Sequence, residues 1–222
     1  MTQLLRPGDP LPYSELMGLT LDGVLVRLTP RCWVPAGAVV DPELRIRALG
    51  PPPRRGLVYS HASAHWVWWG AGTGPAVDEL TTRTRRRLRT QPPGCSVFER
   101  TVGPEDTAEL AGLPLTAGLR TLYDEAVRIV AEPPAPPAGG GAGGGVRDAD
   151  SGTGSAGGGA GGAPARAAWA HALRELLRDV PAGQVEAFAA LVGTQRGRPH
   201  LGRVRAALSG ARGRPPAELS RP

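Results

Sequence analysis

The stretch SHASAHWVWWG, Ser60 to Gly70, holds two of the chain's 4 histidines and three of its 5 tryptophans. His61 and His65 stand four residues apart, which on a helix puts both on one face in the manner of paired zinc ligands. The glutamate such a motif needs beside the first histidine is Ala62 here, and no neighbouring Cys, Asp or Glu completes a tetrahedral set, so no metal is expected. A Ser60–His61 dyad is not expected either, because adjacent residues rarely aim their side chains at each other and no third group orients the base. Trp66, Trp68 and Trp69 give the segment another task. Burial of each large ring stabilises a fold by about 1.5–3 kcal/mol, so the stretch reads as a helix wedged against a sheet.

Two other constellations carry charge. In RTRRRLRT, a strand conformation would point Arg83, Arg85, Arg87 and Arg89 to one face, where they would either follow a phosphate backbone or form a solvated edge that resists pairing. Arg203 and Arg205 belong to a second basic region, since residues 166–222 carry 10 Arg against 4 acids. In LTAGLRTLYDEA, Thr116 is the expected N-cap of a helix, and Arg120 and Asp124 are spaced to pair along it. With Thr121 between them, these residues read as structural. No catalytic residue and no cofactor is expected. All 26 basic residues are Arg, which excludes P-loop and Schiff-base lysine chemistry, and the G-x-G spacings near residue 140 follow no strand.

The elements that must position these residues are legible as short runs. Val24–Leu28 and Cys32–Val34 suit a hairpin around Thr29-Pro30-Arg31. Asp41, Pro42 and Gly50 bracket a helix over roughly 42–49. GLVYS predicts a strand, Ser60 a cap for the next helix and Gly70 its end. AVDELTT, CSVFERTV and GLPLT predict strands, whereas GPEDTAELAG predicts a loop or helical turn. Leu119, Leu122, Tyr123, Ala126, Ile129 and Val130 recur at helical spacing. Residues 132–165 are Gly, Ala or Pro at 26 of 34 positions and predict a disordered linker. Beyond it, Trp169, Leu173, Leu176, Leu177 and Val180 form one helical stripe, followed by two further short helices.

These pieces predict an α+β fold, a small mixed sheet packed with helices, followed by the linker and a short C-terminal helical cluster. The 222 residues divide into a partial winged-helix-like segment (1–40), an α/β domain (41–131), the linker (132–165) and basic C-terminal helices with a tail (166–222). The net charge of +6 is concentrated in that last part. No apolar run approaches the roughly 20 residues that span a bilayer, and the first residues lack a signal peptide's apolar core, so a cytoplasmic protein with no membrane partner is expected.

The order WVPAG, DPELRIRAL, LVYSHASAHWVWWG and LAGLPLTAGLRTLYDEA resembles the AbiEi-type antitoxin and transcriptional-regulator family of actinobacteria, from about Leu11 to Ala131. The matching motif positions are Ser60, His61, Trp68, Thr116, Arg120, Thr121 and Asp124. The resemblance implies an antitoxin of a type IV toxin-antitoxin system, with DNA and a nucleotidyltransferase-type toxin or its operon as partners. Only YSELMGLTLDG precedes the hairpin, so one helix and a wing of the usual winged helix are expected. No Vsr-like nuclease domain is expected. The alternative is a non-catalytic interaction module or a remnant of a nuclease-linked relative.

Overall fold

The Asp41 carboxylate accepts a hydrogen bond from the Leu44 backbone N–H at 2.7 Å, and Pro42 fills the first helical position, so α2 (Pro42–Leu49) begins and ends where its sequence signals lie. The computed structural model describes residues 2–83, 90–131, 163–198 and 200–213. Before α2 come α1 (Tyr13–Leu21) and the antiparallel hairpin of β1 (Leu25–Thr29) and β2 (Cys32–Pro35). Leu5 exchanges two backbone hydrogen bonds with Trp33, extending the hairpin by one rung. Leu16, Leu25 and Trp33 form a small core of their own beneath this unit.

The central sheet has five strands in the order β5-β4-β3-β7-β6. They are β3 (Leu57–Tyr59), β4 (Asp78–Thr82), β5 (Cys95–Phe98), β6 (Thr107–Leu110) and β7 (Leu113–Thr116). β3 runs antiparallel to β4 and parallel to β7, which makes the sheet mixed. Leu57, Tyr59, Leu80 and Leu115 share one face by register and alternation, and there they meet Leu44 and Ile46 of α2. Trp66 and Val67 of α3 (His61–Trp69) complete that core. Within GPEDTAELAG, expected to be a loop or helical turn, Pro104–Asp106 forms a short helical turn but TAEL forms β6. Its charged residue, Glu109, is exposed, while β7 supplies the pairing edge.

α4 (Gly118–Ala131) is the pivot of the molecule. Leu122, Tyr123, Ala126 and Val130 are buried as the periodicity predicts, Leu119 and Ile129 are half-buried, and Val127, Arg120, Thr121, Asp124 and Glu125 are buried as well. α5 (Ala163–Leu176), α6 (Ala182–Thr194) and α7 (Leu201–Arg212) dock on the apolar side, where their Trp169, Leu173, Phe188, Val192 and Val204 share one core with α4 and Trp69, while Thr121, Arg120 and Asp124 meet β7 and the β5–β6 connection. The predicted stripe from Trp169 to Val180 is thereby covered. α5 begins at Ala163, three residues inside the expected linker, because Ala and Pro at a helix start are compatible with its first turn. The remainder of the linker, 132–162, lies outside the described residues. The architecture is α+β, and among the described residues no helix is long and apolar enough to cross a membrane.

Candidate functional site

Ser60 and His61 do face each other, contrary to the expectation for adjacent residues. Ser60 Oγ lies 2.9 Å from His61 Nδ1. The reason is backbone conformation: His61 has φ +47°, in the left-handed region, and this turns its ring back toward Ser60 at the junction of β3 and α3. The ring stacks on Phe98 with centroids 4.0 Å apart and is 1% exposed. Burial, reinforced by the charges of Arg100, Arg128 and Arg120, pushes the imidazole pKa down to about 3, so His61 is neutral at physiological pH. His65 turns elsewhere, its Nε2 3.0 Å from the Leu176 carbonyl of α5, and the two histidines do not converge.

Ser60 holds the N-cap position of α3 without making a cap hydrogen bond. The cap comes from β4 instead. Glu79 accepts from the Ala62 N–H at 2.7 Å, and its own N–H donates to Ser63 Oγ at 2.8 Å. This is a reciprocal capping box built across two elements, which no local sequence pattern would announce. Gly70 ends α3 with φ −63°, so it is not a left-handed cap; a Cβ there would stand 2.4 Å from Trp66 Cδ1. Trp68 is half-buried, and its indole N–H donates to the Thr116 carbonyl at 2.9 Å.

Thr116 is the last residue of β7 and does not cap α4, which starts two residues later at Gly118. Its hydroxyl instead meets that of Thr121 at 2.6 Å, joining strand to helix. One turn along, Arg120 donates through Nε to Asp124 at 2.8 Å and through Nη1 to Asp106 at 2.5 Å. Arg100 adds a second bond to Asp124 at 3.1 Å, and Arg198, stacked over Tyr123, approaches Asp106 at 3.8 Å. Burial opposes the charge on Arg120, but the hydrogen bond and charge of Asp124, then those of Asp106, outweigh it and raise the pKa. The cluster borders a cleft of about 450 Å³ between the β5–β6 connection, α4 and Arg198. Chemically it is a brace: paired charges at 8% and 2% exposure need full mutual satisfaction to be buried at all.

Arg120 and Asp124 pair as expected, whereas Ser60 and Thr116 do not cap the helices that follow them and Trp68 is only half-buried. Of the arginines expected to meet nucleic acid, the two on α7 are engaged within the protein. Arg205 donates to the carbonyls of Val192, Gly193 and Gln195, closing the C-terminus of α6. Arg203 reaches the Val130 carbonyl at 3.4 Å and lies over Trp169. Arg83 is exposed just past the end of β4 at Thr82, and Arg85, Arg87 and Arg89 lie outside the described residues. Sequence reasoning missed Asp106 and Arg100, which enter the brace from a connection 14 or more residues away, and Arg54 and Arg55, which the fold sets beside Arg83. The pair Arg54-Arg55 is visible in the sequence as a local charge step, but its neighbour is not. No protein-family model matches the chain, and no curated protein or solved structure matches it either.

Proposed function

We propose that this chain is a regulatory protein of the AbiEi antitoxin type that acts by binding DNA or a partner protein, without a catalytic step of its own. The observation that carries this reading is the use of Arg120 between Asp106 and Asp124. The motif residues behind the resemblance are spent on joining β7, α4 and the β5–β6 connection, which leaves recognition to the surface. His61 and Ser60, a pair with the appearance of a dyad, are both buried at 1% exposure or less. The test is a mobility-shift measurement on the DNA upstream of its own gene across a salt series. Binding at about 50 mM salt that weakens steeply with added salt supports the DNA reading, and no binding there removes it, since phosphate-driven affinity is greatest at low salt.

A second reading, a protein-interaction module, is favoured by Leu21, Val24 and Val26, which are 85%, 53% and 50% exposed where α1 leads into β1. Under the antitoxin reading the partner is a nucleotidyltransferase-type toxin. Co-purification with the product of a neighbouring gene of that class supports it; a complex unaffected by Val26→Glu and Leu21→Glu would place the contact elsewhere.

A further inference from the structure

We infer that Arg54, Arg55 and Arg83 form one phosphate-binding surface for duplex nucleic acid at the end of the central sheet, an assignment that rests on the DNA reading above. β3 and β4 are antiparallel, with Leu57 opposite Thr82, so the loop entering β3 and the residue leaving β4 emerge at the same end of the sheet. The Arg83 N–H donates to the Gly56 carbonyl at 3.1 Å, and the Leu57 N–H to the Arg54 carbonyl at 3.4 Å, which fixes the turn carrying Arg54 and Arg55 against Arg83. Arg54 and Arg55 thus come to the same end of the sheet as Arg83, 28 or more residues away in sequence. Gly56 makes the approach possible: its φ of +84° is one that side-chain-bearing residues rarely adopt.

All three arginines are exposed, and no hydrogen bond or ion pair to a described residue occupies their side chains. Several other described arginines are engaged within the protein. Arg120, Arg100 and Arg198 are engaged by carboxylates, Arg205 and Arg203 by helix-end carbonyls, and Arg31 by Asp78. Glu109, exposed on β6, is two strands away from β3. An exposed guanidinium offers a planar fork of donors that fits phosphate oxygens, and contacts to a duplex backbone require regular cations without a base-specific partner. The surface supplies affinity and orientation, and sequence reading is left to other groups.

The experiment measures binding of the full chain to duplex DNA from its upstream region over a salt series, for wild type, Arg54→Gln/Arg55→Gln, Arg83→Gln, Arg54→Lys/Arg55→Lys and Arg205→Gln. The double Gln variant is expected to lower the slope of log affinity against log salt by about 2, from roughly 0.9 per phosphate neutralised. Arg83→Gln is expected to lower it by about 1 and the Lys variant to preserve most of it. Arg205→Gln is expected to leave the slope unchanged while lowering the thermal midpoint. Wild-type binding with an unaltered slope in both Gln variants overturns the surface while sparing the DNA reading. Absence of wild-type binding at low salt overturns both, as does arginine-dependent capture of an acidic peptide without any affinity for duplex. Unchanged circular dichroism of the Gln variants, expected from their exposure, shows that any loss is not unfolding.

Discussion

Arg120 and Asp124 sit one helical turn apart on α4, joined by a 2.8 Å hydrogen bond at 8% and 2% exposure, and the same guanidinium reaches out of the helix to Asp106. An exposed pair at this spacing contributes only a few tenths of a kcal/mol, with arginine preceding the acid the weaker order. Burial and the second carboxylate change its weight. Removing Arg120 leaves buried Asp124 with Arg100 as its remaining ion pair and Asp106 with only the longer contact to Arg198. Arg120→Ala should therefore destabilise the fold by about 3–5 kcal/mol in urea unfolding, and Arg120→Lys should recover only part, because an ammonium cannot fork between Asp124 and Asp106. A loss under about 1 kcal/mol in the alanine variant, the range of exposed pairs, would show that the brace is solvated.

Trp69 is 8% exposed and lies in the core shared by α4 and the C-terminal helices, whereas Trp68 is only half-buried. Trp69→Ala should cost about 3–5 kcal/mol and loosen the docking of α5–α7. Trp68→Ala should cost less, despite losing its hydrogen bond to Thr116. Thermal melts with proteolysis of the C-terminal helices as a second readout would check the order; Trp68 proving the more damaging site contradicts it.

Gly70 makes a sharper steric prediction. A Cβ there would lie 2.4 Å from Trp66 Cδ1 and 2.7 Å from Trp66 Cα, and that backbone atom cannot swing aside. Gly70→Ala is expected to lower stability by about 1–3 kcal/mol through overpacking, although its φ of −63° suits alanine. A variant with the wild-type melting temperature would mean that α3 ends differently.

Two buried groups set opposite pH dependences. His61, with its pKa lowered to about 3, stays neutral in the folded chain while the unfolded chain takes up a proton below the ordinary value of 6.5, so stability falls as pH drops from there toward 3. Glu125 is raised to about 7 by burial, which the neighbouring Arg128 opposes and Glu79 and Asp124 reinforce. The folded state retains that proton after the unfolded state has lost it at 4.5, so stability falls as pH rises from 4.5 through 7. Each acts with a slope of at most about 1.4 kcal/mol per pH unit. Denaturation across pH should show Glu125→Gln losing the decline on the alkaline side. His61→Asn should lose the acidic one, asparagine being tolerant of a left-handed φ. An unchanged profile in either variant assigns the dependence to other groups.

Segments whose boundaries depend on local rules are legible in the sequence. Asp41, Pro42 and Gly50 bracket α2 by side-chain and backbone chemistry within one turn, and Leu122, Tyr123, Ala126 and Val130 mark the buried stripe of α4 by periodicity alone. Arg120–Asp124 is equally accessible, because helical spacing places four-apart residues side by side. Glu79 capping α3, Asp106 completing the Arg120 brace and the Ser60–His61 contact are not. Each depends on strand pairing, on a connection between strands or on a single left-handed φ, none of which leaves a periodic trace.

Composition and periodicity by themselves settled the α+β class, the amphipathic helices and the placement of basic charge along the chain, because these depend on side-chain type at fixed local spacing. Tertiary structure alone decided which arginines are tied to carboxylates or carbonyls, as buried Arg120 and exposed Arg205 are, and which stand exposed at one end of the sheet, as Arg54, Arg55 and Arg83 do. The guanidinium is the same in every case; its role follows from whether packing surrounds it with carboxylates and carbonyls or leaves it facing water.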